Sequence, residues 1–166
     1  MNLKMNRRHF ISGTLAAGAG LALPNIIPGR AFGQDGAVAP SNRITLGCIG
    51  VGGMGTDNMK NFLKLPDCQV VAVCDAYADR RQRAKEIVDA QYGDAGCALY
   101  GDFREVLARD DIDAVMIAAQ DHWHALIATA AAKAGKDMYC EKPLGVSVEQ
   151  SRAIVDAVRK NNRVFQ

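Results

Sequence analysis

The chain has 166 residues, enough for one domain, and its 49% hydrophobic and 23% charged content excludes a disordered polypeptide. The net charge of +2 is unevenly spread: Lys4, Arg7, Arg8 and Arg30 lie in the first 33 residues, which hold no acid, and removing those four from +2 leaves −2 for the rest. A mildly acidic body excludes a nucleic-acid footprint.

In chain order, residues 1–33 read as an address rather than as structure. Met1 to Arg8 is basic, Phe10 to Ile27 is mostly apolar, and Ala31-Phe32-Gly33 supplies small residues before Gln34. That is the plan of a secretory signal. Arg7-Arg8 followed by His9-Phe10-Ile11 resembles a twin-arginine export signal, which implies export through the twin-arginine translocase to a periplasmic or other extracytoplasmic location. Pro24 and three glycines argue against the alternative, a membrane-spanning anchor. Residues 34–42, rich in Gly, Ala, Pro and Ser, read as a flexible lead-in. Because this route carries folded proteins, it predicts a cofactor loaded before export and held tightly.

From residue 43 the pattern alternates strand and helix. The expected elements are strands at Ile44–Ile49, Gln69–Cys74, Ala98–Tyr100, Ile112–Ala118 and Asp137–Cys140. Helices are expected at Met54–Leu65, Ala78–Tyr92, Asp102–Arg109, His124–Ala134 and Val148–Asn161, and a sixth strand begins at Val164–Gln166. Strands apolar on both faces and separated by helices predict an α/β fold: a doubly wound parallel sheet of the Rossmann type over residues 43–166. A chain ending as a sixth strand starts is expected to be the N-terminal part of a two-domain protein. The five cysteines have no C-x-x-C spacing, and Cys48, Cys74 and Cys140 fall in apolar runs, so they read as small buried hydrophobes.

Three motifs carry chemistry. Gly50-Val51-Gly52-Gly53-Met54-Gly55 follows the first strand and opens a helix, with Asp75 twenty residues beyond Gly55. Gly50 allows a tight turn, Gly52 lets backbone approach a pyrophosphate, and Gly55 lets helix and strand pack closely. Asp75 suits the adenosine ribose hydroxyls and repels a 2′-phosphate, favouring NAD over NADP, although Arg80 and Arg81 nearby count the other way. Asp121-His122-Trp123-His124 follows the fourth strand, at the edge where such sheets bind ligands; residues two apart on a helix point to different faces, so a metal site is rejected. For Asp121, His122 and Trp123 a helix cap with packed aromatics stands as the alternative. Glu141-Lys142-Pro143 follows the fifth strand and can deliver an ammonium group to a nicotinamide and a substrate hydroxyl.

From Ile44 to Gln166 the sequence resembles the N-terminal domain of the glucose-fructose oxidoreductase / inositol dehydrogenase / rhizopine-catabolism (Gfo/Idh/MocA) family. The glycine loop, Asp75, the Asp121 to His124 segment and Tyr139-Cys140-Glu141-Lys142-Pro143-Leu144 carry the resemblance. It implies cofactor contacts from Gly50, Gly52, Gly53, Met54, Gly55, Asp75, Asp121, His124, Glu141 and Lys142, with Lys142 and His124 as catalytic candidates. It also implies a cis peptide before Pro143, NAD as cofactor, and a homo-oligomer built through a C-terminal substrate domain that also supplies the acid/base. Residues 34–166 alone are then expected to bind NAD without turnover. Where the family commonly has Thr-Pro, this chain has Ala119-Gln120. The function implied is an exported NAD-dependent oxidoreductase acting on a sugar, cyclitol or related polyol. Two alternatives are an NAD-dependent glycosidase working by oxidation and elimination, and a non-catalytic NAD- or sugar-binding sensor.

Overall fold

The computed structural model describes residues 38–166; the expected export signal and residues 34–37 of the lead-in lie outside the described residues. The rest of the lead-in closes into a short 3-10 turn, Pro40–Asn42, with Arg43 donating from Nε to the Val38 carbonyl at 3.0 Å.

Five strands, β1 (Ile44–Ile49), β2 (Cys68–Cys74), β3 (Ala98–Tyr100), β4 (Ala114–Ile117) and β5 (Asp137–Cys140), form one parallel sheet in the order β3-β2-β1-β4-β5. The expected sixth strand is a single parallel bridge, Met138 with Phe165, reinforced by bonds from Met138 N to Val164 O and from Cys140 N to Gln166 O. It extends the order by one place beyond β5. The helices between strands are α1 (Gly53–Phe62), α2 (Ala78–Tyr92), α3 (Phe103–Leu107), α4 (Asp121–Lys133) and α5 (Val148–Lys160). The doubly wound Rossmann architecture read from the sequence is the one the chain adopts.

Successive residues of a strand face opposite layers, except where the β1–β2 register shifts between Leu46 and Gly47, which leaves Val70 and Val73 on one face. Leu46, Cys48, Val70, Val73 and Met116 pack with Met59 of α1 and with Ala84 and Val88 of α2. Ile49, Ala72, Val115 and Ile117 pack on the other face with α3, α4 and α5. A helical layer on each side explains why the strands read as apolar runs without polar alternation.

Several boundaries differ from expectation. α1 stops at Phe62 rather than Leu65, because Leu63 is the C-cap and Pro66 follows. α3 is shorter at both ends: Asp102 is its N-cap, accepting from Arg104 N at 2.9 Å. β4 is two residues shorter at its start and one at its end. α4 begins three residues early, at Asp121, with Gln120 as N-cap, so the Asp-His-Trp-His segment is its first turn and Asp121 does not cap it. The expected cap of α5 is present: Ser147 Oγ accepts from Gln150 N at 3.3 Å.

All five cysteines are free and buried. Burial is the leading cause that raises each thiol, to about 11 for Cys68, Cys97 and Cys140, to about 12 for Cys74, and well above the usual value for Cys48. Thiolate, the reactive form, is therefore scarce at neutral pH. Alkylation by iodoacetamide at pH 8 is expected to leave all five unmodified in the native protein and to label all five in denaturant; rapid labelling of any one in the native state, read by intact mass, would contradict this.

Candidate functional site

The site is assembled at the carboxyl edge of the sheet. The residue after each of four strands hands its N–H to the neighbouring strand's last carbonyl: Gly50 to Cys74 O at 2.8 Å, Ala118 to Ile49 O at 2.9 Å, Glu141 to Ile117 O at 2.9 Å, and Asp75 to Tyr100 O at 3.3 Å. Four loops thus leave the sheet level with one another. Between β1 and β4 the connections diverge to opposite faces, opening the crevice expected where strand order reverses.

The glycine turn is built as its residues predict. Gly50 sits at φ +81°, and a Cβ there would stand 2.6 Å from the Ala118–Ala119 backbone, so the β1 turn lies directly on the β4 loop. A Cβ on Gly55 would lie 1.8 Å from the Gly50 carbonyl oxygen, which is the close helix–strand packing expected of the third glycine. At Gly52 the nearest atom is Arg80 Nη1 at 3.6 Å, and at Gly53 nothing lies within 4 Å. No side chain caps α1. Its first-turn N–H groups and the positive end of its dipole therefore face open space bordered by the glycine backbone and the Arg80 guanidinium, which fits a pyrophosphate.

The crevice has a volume of about 510 Å³ and takes Gly50, Gly52, Gly53, Met54, Gly55 and Asp75 into its lining. Asp75 is buried at 9% exposure; its Oδ2 accepts from Val51 N at 3.0 Å and its Oδ1 from Tyr77 N at 2.9 Å. The carboxylate so ties the glycine turn to the β2 loop, and each oxygen keeps a lone pair for a ligand hydroxyl. Of the two nearby arginines, Arg81 points back, donating from Nη1 to the Asp75 and Ala76 carbonyls. Arg80 stacks its guanidinium 4.4 Å from the Tyr77 ring and borders the crevice.

Residues that sequence reasoning did not assign complete the far wall: Tyr77, Asp102, Phe103, Arg104 and Gln120. Trp123 joins them and meets Phe103 edge-on at 6.4 Å between ring centres. An aromatic pair in the same lining as Asp75 suits a flat base. Its one sequence signal is position, directly after β3 and β4.

Asp121, His124, Glu141 and Lys142 do not line this crevice. Asp121 is exposed in the first turn of α4. His124 is 1% exposed and lies under the β5 loop, its Nδ1 bonded to the Pro143 carbonyl at 2.5 Å. A carbonyl only accepts, so Nδ1 carries a proton; Nε2 is buried with no partner among the described residues. The Lys142–Pro143 peptide is cis, as expected. Lys142 is exposed.

Glu141 reaches back to α1. Its Oε1 accepts from Asn58 Nδ2 at 2.8 Å and Tyr139 Oη at 3.2 Å, and its Oε2 from Lys142 N at 3.2 Å. The Asn58 bond, first among these, holds the Glu141 carboxyl below its usual range. Because the folded value is depressed, the contact stabilises the fold at neutral pH and is lost as pH falls through that value.

A family model described as an oxidoreductase family with an NAD-binding Rossmann fold (Gfo/Idh/MocA) matches residues 44–166, and a twin-arginine translocation pathway signal sequence model matches residues 4–24. An alpha-N-acetylgalactosaminidase of Shewanella oneidensis is 31% identical over 96% of this chain and 38% of its own length. Among solved structures, an NAD-binding protein from Listeria innocua is 32% identical with a TM-score of 0.64, covering 75% of this chain and 33% of that one. Scyllo-inositol dehydrogenase from Lactobacillus casei, with bound NAD(H) and scyllo-inositol, is 25% identical with a TM-score of 0.67, covering 75% and 35%. The chain thus spans well under half the length of the curated relatives it matches.

Because a methyl group at Gly55 would run into backbone rather than into a side chain that can turn away, Gly55→Ala is expected to destabilise the fold by about 1–3 kcal/mol. Gly53→Ala, with open space around it, is expected to cost a small fraction of that. Equal urea midpoints for the two variants would show that α1 does not need this close approach.

Proposed function

The chain belongs to the Gfo/Idh/MocA oxidoreductase family, whose NAD-binding Rossmann fold it adopts, and from that premise we propose that the whole protein is an exported NAD-dependent enzyme that oxidises a carbinol carbon of a sugar, cyclitol or related polyol. The observation that carries this reading is the shared edge: an uncapped glycine turn and Asp75 at one end of the crevice, and the exposed Lys142 on the neighbouring β5 loop. Gly52, Gly53, Met54 and Gly55 would hold the pyrophosphate, and Asp75 the adenosine ribose, while the Phe103–Trp123 wall takes the base. When bound, NAD supplies the hydride acceptor. Lys142 places an ammonium group beside the substrate hydroxyl, lowers its pKa and stabilises the developing alkoxide. His124, buried and bonded to Pro143, supports the loop that presents Lys142. By this reading the remaining substrate contacts and the acid/base lie outside these residues, and residues 34–166 alone bind NAD without turnover.

A second reading has its own support. The alignment with the Shewanella alpha-N-acetylgalactosaminidase covers 96% of the chain, so it extends through most of the leader as well as the Rossmann domain. On that reading the same hydride abstraction opens an elimination of the glycosidic bond, and the hydride is returned at the end.

The fate of the hydride separates the two. Full-length protein carrying its own NAD is given polyols and glycosides with no external acceptor. Reduced nicotinamide accumulating one-for-one with enzyme supports the dehydrogenase; many bonds cleaved per enzyme with no net reduction supports the glycosidase. In either case Lys142→Ala is expected to lower kcat about 100-fold or more while bound NAD is retained. Unchanged turnover would remove Lys142 from the chemistry, whereas no turnover by the unsubstituted protein, with its biological activity unchanged by Lys142→Ala, would favour a non-catalytic sensor.

A further inference from the structure

No motif singles out Asn58, yet it joins the two halves of the site. It lies on α1, five residues and about 7.5 Å along the helix from Gly53 at the cofactor end. Its amide donates to Glu141 Oε1 at 2.8 Å across 83 residues of sequence. One turn further, on the same face, Phe62 meets Tyr139 edge-on at 5.5 Å between ring centres. Glu141 in turn accepts from the Lys142 backbone N–H, and Tyr139 Oη shares the Oε1 that Asn58 holds. On the other side of Lys142, the Pro143 carbonyl is bonded to His124.

Lys142 is therefore an exposed side chain on a backbone pinned at both neighbours, by α1 on one side and α4 on the other. The α1 pin depends on a neutral donor: an amide gives Glu141 a charge-assisted bond, whereas a carboxylate would set two anions at 2.8 Å. We propose that Asn58 is a positioning residue for Lys142, acting through Glu141, so that the helix whose N-terminus seats the cofactor also sets where the lysine stands. This rests on Lys142 stabilising the developing alkoxide, as proposed above.

The test uses the full-length holoprotein with Asn58→Asp, which keeps the size and removes the donor, and Asn58→Ser, which shortens it. Each is made alone and in the Lys142→Ala background. NAD content and thermal midpoint report whether each variant folds around its cofactor. With Lys142 present, kcat is expected to fall roughly 10- to 100-fold, the value of a hydrogen bond to a charged group, with KM for substrate within about twofold. In the Lys142→Ala background neither variant should lower kcat further. A kcat unchanged by both Asn58 variants overturns the proposal, as does the same fold-loss with and without Lys142, which would mean that Asn58 acts elsewhere. Full activity of Lys142→Ala by itself overturns the reading of Lys142, and with it this one; the first two results overturn only the role of Asn58.

Discussion

The contact on which the rest of the carboxyl edge depends is backbone against backbone, between the Gly50 carbonyl and the helix at Gly55. It leaves no room for a single methyl group. A helix started so close to its strand has one direction open to it. That direction sends Met59 fully into the core, turns Asn58 and Phe62 toward β5, and leaves the first-turn N–H groups facing the crevice. The opposite side of the same turn is limited too, because Gly50 rests on the Ala118–Ala119 backbone. Two glycines thus fix the direction of α1, the burial of Met59 and the reach of Asn58 to the Glu141 carboxylate on the distant β5 loop.

Charge is used sparingly around this frame. Asp75 is buried, and its two oxygens accept backbone N–H groups from two different loops, which is how a buried carboxylate is kept without a paired cation. Arg81 spends its guanidinium on carbonyls of the same loop, so it stabilises the bend rather than the ligand. Lys136 follows the same logic at the opposite edge: it is 7% exposed, and its ammonium group donates to the Arg109 and Ile112 carbonyls. Arg80, held on Tyr77, is a cation that faces the crevice beside the glycine turn.

The parallel sheet was legible because burial on both faces leaves a mark in its strands: Gln69 to Cys74 and Ile112 to Ala118 hardly alternate. The bounds of α2, β3 and β5 agree with expectation, since turn residues such as Gly93 and Gly135, both at positive φ, punctuate them sharply. The early start of α4 was not legible. Asp-His-Trp-His has no apolar period of its own, and the burial of His124 and Ala125 appears only in the folded packing. The glycine loop and Asp75 were readable because their chemistry demands particular residues at particular spacings. Asn58, Tyr77 and Phe103 were not, because their roles exist only once chain segments far apart in sequence meet; the Asn58–Glu141 bond has no local signature at all.

That asymmetry bears on how the Glu-Lys-Pro loop works. On the proposed role of Lys142, its side chain gives up rotamer freedom when substrate arrives, a cost of up to about 2 kcal/mol. Leaving the backbone free as well would add a further 1–2 kcal/mol for each residue ordered. Here that backbone cost is met on folding: Glu141 N is in the sheet ladder, Glu141 Oε2 holds Lys142 N, and His124 holds Pro143 O. Only the lysine's own four-carbon stem remains to be ordered. His124 and Glu141 hold this backbone from positions outside the crevice lining.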